Sequence, residues 1–188
     1  MKISLMKYAF AALTAMAFSA ATADVGVYVD DGGVNPRSFA DGTFSGSTTL
    51  RYGALPLTCN LSLDGEVEAN ATGDGGTLTV TGGSVTGGFL CGTVSLSAFP
   101  WVSQEVPESA LATLSNPNQD VEVTFEGVAV NLCGSGLTVT AVFNNNGTSA
   151  LSAPSSFTFV DVPLVGSSCR LDGALTVEGD DIDAFGGL

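Results

Sequence analysis

The sequence predicts an all-β protein, an antiparallel β-sandwich or open barrel built as a single disulfide-pinned domain. Three observations point there. Apolar residues recur at every second position along most of the chain, Gly-rich turn chemistry interrupts them at short intervals, and four cysteines follow an export signal.

Taken in order, residues 1–23 read as a secretory signal peptide. Lys2 and Lys7 supply the positive start, Tyr8 to Phe18 a short apolar stretch, and Ala21-Thr22-Ala23 a small-residue cleavage site before Asp24. The apolar stretch is too short to span a membrane, and no later segment reaches the roughly 20 apolar residues a span needs. The expected mature chain has 188 − 23 = 165 residues, enough for one core. The protein is therefore expected to be secreted, with no membrane span.

Residues 24–41 form an N-terminal arm, flexible or an edge strand, in which Val25, Val27 and Val29 alternate before Asp30-Asp31-Gly32-Gly33. The all-β domain is expected over residues 42–179. Leu61, Leu63 and Val67 mark one strand, and Leu78 and Val80 between Thr77, Thr79 and Thr81 mark another. The clearest run has Val121, Val123 and Phe125 facing in with Glu122, Thr124 and Glu126 facing out. Leu137, Val139 and Ala141 follow, and Leu175 and Val177 open the last expected strand. Asp64-Gly65, Gly73-Asp74-Gly75-Gly76, Gly82-Gly83, Gly87-Gly88, Asn144-Asn145-Asn146-Gly147 and Asp172-Gly173 read as turns or loops. Outside the signal, residues 109–114 make one helical turn at most. Residues 180–188, acidic and then Gly-rich, form a tail that is expected to fray together with the preceding Glu178.

Composition narrows the function. Charged residues are 13% of the chain and apolar residues 45%, a globular balance and not a disordered one. Removing the signal leaves three arginines against 19 acids, 3 − 19 = −16, with no lysine and no histidine. Such a chain repels nucleic acid and anionic membrane surfaces.

The cysteines have mirrored contexts. Cys59 and Cys169 each open a Cys-x-Leu segment that soon reaches Asp-Gly, whereas Cys91 and Cys133 each lie within Leu-Cys-Gly. Four cysteines allow three pairings. The contexts favour Cys59–Cys91 and Cys133–Cys169, one staple per half, each worth roughly 3–4 kcal/mol by loop entropy. The rival joins like contexts, Cys59–Cys169 and Cys91–Cys133. A zinc or redox site is disfavoured, since there is no Cys-x-x-Cys pair and no histidine.

Catalytic chemistry finds little to work with. A Ser, Thr or Cys nucleophile needs a neighbouring base, and neither His nor a mature Lys is present. A paired-carboxylate glycosidase would rest on the acid count alone. The expectation is a non-enzymatic protein with no cofactor and no structural metal. Asp30, Asp31, Asp180, Asp181 and Asp183 could offer oxygens to calcium, but their spacing does not follow a calcium loop, and solvated acidic ends are the simpler reading. Phe99-Pro100-Trp101 holds the only tryptophan; it is either an apolar surface contact or, more commonly for a lone Trp beside a loop Pro, half-buried core.

Several short motifs then line up in order: Phe44-Ser45-Gly46-Ser47-Thr48-Thr49-Leu50, Leu55-Pro56-Leu57-Thr58-Cys59, Gly88-Phe89-Leu90-Cys91-Gly92, Phe99-Pro100-Trp101, and Gly127-Val128-Ala129-Val130 running into Cys133-Gly134-Ser135-Gly136. Over Phe44 to Cys169 the chain resembles the Pra-type protein activators of alkane oxidation. The resemblance implies an extracellular protein that helps cells use long-chain alkanes as an emulsifying or surface-active agent, without being the oxygenase. Its partner would be a hydrocarbon or cell-envelope surface. The alternative is a structural subunit of a cell-surface fibre or biofilm matrix, in which the Val25-Val27-Val29 arm adds a strand to the next copy's sheet.

Overall fold

The computed structural model describes residues 25–29 and 36–187. The expected signal peptide, and Asp30 and Asp31 of the arm, lie outside the described residues. The elements are β1 (Gly26–Val29), β2 (Phe39–Tyr52), β3 (Leu55–Ala69), β4 (Gly75–Thr86), β5 (Leu96–Ser97), β6 (Trp101–Ser103), β7 (Val106–Pro107), β8 (Val121–Val130), β9 (Gly134–Asn144), β10 (Ser156–Pro163), β11 (Cys169–Glu178) and β12 (Ile182–Phe185). Single 3-10 turns occupy Cys91–Thr93 and Glu108–Ala110.

The fold is an antiparallel barrel. β3, β2, β11, β10, β9, β8, β6 and β4 follow one another around the wall, and β4 returns to pair with β3 and close it. Closure gives each of these strands a neighbour on both sides, although β4 meets β6 over only two residue pairs. β5 adds to β8 and β7 to β4 as short side strands. β2 and β3 form one long hairpin, in register from Phe39 opposite Glu68 to Tyr52 opposite Leu55.

The alternation seen in the sequence fixes which side of each strand faces in. Val121, Val123 and Phe125 on β8, and Leu137, Val139, Ala141 and Phe143 on β9, are all buried. Outward-facing threonines pair across strands, Thr49 with Thr58 and Thr124 with Thr140, both at 2.9 Å between hydroxyls. Inside, Phe157 sits at ring-centroid distances of 5.0 Å from Phe44 and 5.1 Å from Phe143, filling one half of the barrel with aromatic rings.

Register gives the barrel two unlike ends. Tyr52 lies opposite both Leu55 and Cys169, Val130 lies opposite Gly134, and Thr86 lies opposite Asn60. The connections 53–54, 87–95, 131–133 and 164–168 therefore crowd one end, and both disulfides lie there. The other end is capped by a two-stranded sheet in which β1 pairs with β12, Val27 opposite Ala184.

That cap contains parts of both the arm and the tail. The arm contains a strand, β1, paired to the chain's own β12. The acidic tail does not fray as expected: Ile182, Asp183, Ala184 and Phe185 are all buried, and Gly186 N–H donates to Ala112 O at 2.9 Å. Composition suggested solvent there, but long-range backbone partners hold the segment inside. Three expected turns also prove to be strand interior, Gly82-Gly83 within β4 among them. Asp64-Gly65 falls within β3, where the register with β4 shifts, and Asp172-Gly173 falls within β11. A Cβ on Gly173 would lie 2.6 Å from Ser47 O, so glycine here admits a neighbouring backbone rather than a chain reversal.

Candidate functional site

At the disulfide end the chain presents apolar side chains to solvent. The hairpin β2–β3 turns over at Gly53, whose φ of +59° suits a two-residue loop, and this holds Tyr52 and Leu55 at the tip. Both are roughly half exposed. After β4 the chain reverses at Gly87, with φ at +130°; a Cβ there would lie 3.2 Å from Cys91 Sγ. Gly87 thus lets Phe89 and Leu90 arch over the Cys59–Cys91 bridge. Phe89 is 93% exposed and Leu90 about half. Val165, in the connection from β10 to β11, is also more than half exposed. Large apolar groups left in water at a rigid end are informative, whereas scattered ones are ordinary.

The cysteines pair as Cys59–Cys91 and Cys133–Cys169, with Cα separations of 5.7 Å and 5.8 Å, and no cysteine is free. Each bridge ties one of the rim's connections to a barrel strand. The first anchors the Phe89-Leu90 arch to β3, and the second anchors the β8–β9 turn to the start of β11.

Charge near the rim is local and paired. Arg51 on β2 and Arg170 on β11 are directly opposite each other on the outer face. Arg170 Nε donates to Asp161 Oδ1 at 2.7 Å, and its Nη2 donates to Asp161 O. That guanidinium bond holds the Asp161 carboxyl below its usual range. Arg51 has Asp172 at 3.9 Å, half in solvent, so the contact contributes little.

The residues proposed from sequence as an apolar contact lie elsewhere. Trp101 is buried, its Nε1–H donates to Ser97 O at 2.9 Å, and Phe99 stacks on it at 4.5 Å. The Phe99-Pro100 peptide is cis, and only Pro100 of the three is exposed. Trp101 is core because its indole N–H finds a carbonyl in its own loop and its ring faces the barrel interior. There it lines an apolar cavity with Leu57, Leu61, Val80, Phe125 and Val139.

The acidic positions suggested for calcium are dispersed or already engaged. Asp180 is exposed. Asp181 Oδ1 accepts from Ser155 N–H at 2.8 Å and Ile182 N–H at 2.9 Å. Asp183 Oδ2 accepts from Leu151 N–H at 2.6 Å, and burial pushes its pKa up to about 7. Among the described residues no group of three or more His, Cys, Asp or Glu side chains could hold a metal ion. Nor is there, among them, a helix long and apolar enough to cross a membrane. These carboxylates act on backbone, drawing the loop 145–155 onto the capping sheet.

The rim itself was missed by sequence reasoning. The available signal was Phe89-Leu90 placed between Gly87-Gly88 and Cys91-Gly92: two large apolar residues inside turn chemistry, where burial is hard to achieve.

A family model described as "Alkane oxidation protein activator PraA/PraB-like" matches residues 1–180 of the chain. No curated protein and no solved structure matches it.

Proposed function

The chain belongs to the PraA/PraB-like family of alkane oxidation protein activators, and from that premise we propose that it is a secreted, non-enzymatic, surface-active protein that aids alkane uptake or oxidation. The observation that carries this reading is the rim: Tyr52, Leu55, Phe89, Leu90 and Val165 exposed together at the cross-linked end of a closed barrel. Adsorption at an oil surface removes such groups from water. At about 25 cal/mol per Å², a contact of roughly 300 Å² contributes about 7 kcal/mol, enough to hold a folded protein at an interface. Closure of the barrel keeps backbone groups paired while the rim touches oil. The mature charge, 3 − 19 = −16, would then keep coated droplets apart.

The experiment is interfacial tensiometry and hexadecane emulsification with the purified, disulfide-bonded protein, beside Phe89→Ser and Leu90→Ser. The wild type is expected to lower the tension and hold the emulsion, and the paired substitution to lose most of both while keeping its thermal midpoint. Equal activity in wild type and variant would remove the rim from the account. An inactive wild type would end the surface-active reading. The fibre-subunit alternative needs β1 to leave its own β12, and nothing in the structure favours that exchange.

A further inference from the structure

We propose that the cavity beneath the rim is a binding site for one linear aliphatic chain, entered from the disulfide end. The proposal deepens the surface-active reading and rests on it for the source of the chain.

The lining sets the ligand's polarity. The cavity has a volume of about 80 Å³, and its wall is aliphatic and aromatic but for Thr48 and the disulfide-bonded Cys59. By volume, at about 10–15 Å³ per water, several waters would fit. Each would need two to four polar partners, and a single threonine cannot supply them. The chemistry that satisfies this wall is hydrocarbon.

The shape sets the ligand's form. On β3 alone, Leu57, Cys59, Leu61 and Leu63 all face the cavity. Those six residue steps cover about 20 Å of strand, or about 15 Å along the barrel axis after strand tilt. A small volume drawn out over that length is narrow. It admits a thin, flexible chain and rejects fused rings. An eight-stranded barrel is also the size at which the interior is either filled by side chains or holds one small ligand.

The route follows from what closes the other directions. Below the cavity, Phe44, Phe143 and Phe157 pack together, and β1 and β12 cap that end. Above it, Leu50 and Leu57 are two residues from exposed Tyr52 and Leu55 on the same strands. The wall is thin there as well: β4 pairs with β6 only through Thr79 and Val80, so its stretch from Gly82 to Thr86 is hydrogen-bonded to β3 alone. Val85 and Leu96 stand at this seam, and both line the cavity.

Trp101 is the only tryptophan and lines the cavity, so the protein carries its own reporter. Titration of the purified protein with bromooctane, bromodecane, bromododecane and bromohexadecane should quench Trp101 fluorescence through the bromine. Affinity should rise about fourfold per added methylene, then level off once the cavity is full. Val85→Phe, and the milder Val139→Leu if the first does not fold, should weaken the binding at least tenfold while leaving emulsification in place. Phe89→Ser with Leu90→Ser should do the reverse, which separates a failed cavity from a failed rim. Absence of quenching, affinity without chain-length dependence, or wild-type binding by both filled variants would overturn the proposal.

Discussion

Asn145 and Ala184 are joined by two reciprocal hydrogen bonds. Asn145 Nδ2 donates to Ala184 O at 3.1 Å, and Ala184 N–H donates to Asn145 Oδ1 at 3.1 Å. The side-chain amide occupies the place a neighbouring strand would take along β12, and both residues are buried. One side chain thus satisfies both backbone groups of a residue whose segment is acidic and close to the chain end.

Asn145→Ala should therefore cost more than an ordinary surface change. It strands a buried N–H and a buried C=O, each worth about 1–3 kcal/mol. A loss of roughly 2–5 kcal/mol is expected by chemical denaturation, with faster amide exchange at Ala184. Asn145→Asp at neutral pH replaces the donor with a buried charge facing the Ala184 carbonyl, so it should cost at least as much as alanine.

Asp183 gives the same cap a pH dependence. Burial, opposed by the Leu151 N–H and reinforced by the charge of Asp181, raises its pKa to about 7 from an ordinary 3.8. A folded-state pKa above the unfolded one means the folded protein binds the proton more tightly. The contribution is complete below about pH 4, declines as pH rises with a slope of up to about 1.4 kcal/mol per unit, and is gone above about pH 7. Asp183→Asn keeps an acceptor for Leu151 and cannot ionise. Stability curves of the two proteins should diverge from pH 4 to 7 in favour of the variant and run parallel above it; parallel curves throughout would mean that Asp183 is ionised when folded.

How much of this was legible in the sequence depends on the range of the interaction. β8 and β9 were plain because alternation is local: Val121, Val123 and Phe125 show their face without reference to any other strand. The all-β class and the family resemblance were equally accessible. Asp64-Gly65 and Asp172-Gly173 misled because the same dipeptide serves a turn and a close strand contact, and only the register of β4 or β2 distinguishes them. The tail misled for a related reason. Its acids signal solvent locally, but their partners are the N–H groups of Ser155 and Leu151, some thirty residues earlier. Phe89 and Leu90 were visible as apolar residues, but their gathering with Tyr52, Leu55 and Val165 exists only once the barrel closes.

The two disulfides should differ in what their loss does to function. Each closes a loop of comparable length, at separations of 32 and 36 residues, so each removal should cost roughly 2–5 kcal/mol. Only Cys59–Cys91 holds the Phe89-Leu90 arch. Replacing that pair by alanine should impair emulsification beyond its effect on stability, measured well below the variant's unfolding temperature. The Cys133→Ala and Cys169→Ala pair should lose stability alone.

Glycine substitutions can test how closely the barrel wall is packed between β2 and β11, in contrast with the open arch at the rim. A Cβ on Gly46 would meet Ala174 O of β11 at 2.1 Å, a backbone atom that cannot swing aside. Gly46→Ala must then push β2 from β11, and overpacking of this kind costs about 1–3 kcal/mol. Gly88, at the base of the Phe89-Leu90 arch, has no atom within 4 Å of the corresponding position and no left-handed φ. Gly88→Ala restricts the unfolded chain without a clash, so it should be neutral or stabilising by about 0.4–1 kcal/mol. Thermal unfolding of the two variants checks the contrast. Because Gly88→Ala also stiffens the arch, it should keep the rim's interfacial activity; its loss would mean that Phe89 and Leu90 must move to reach the oil.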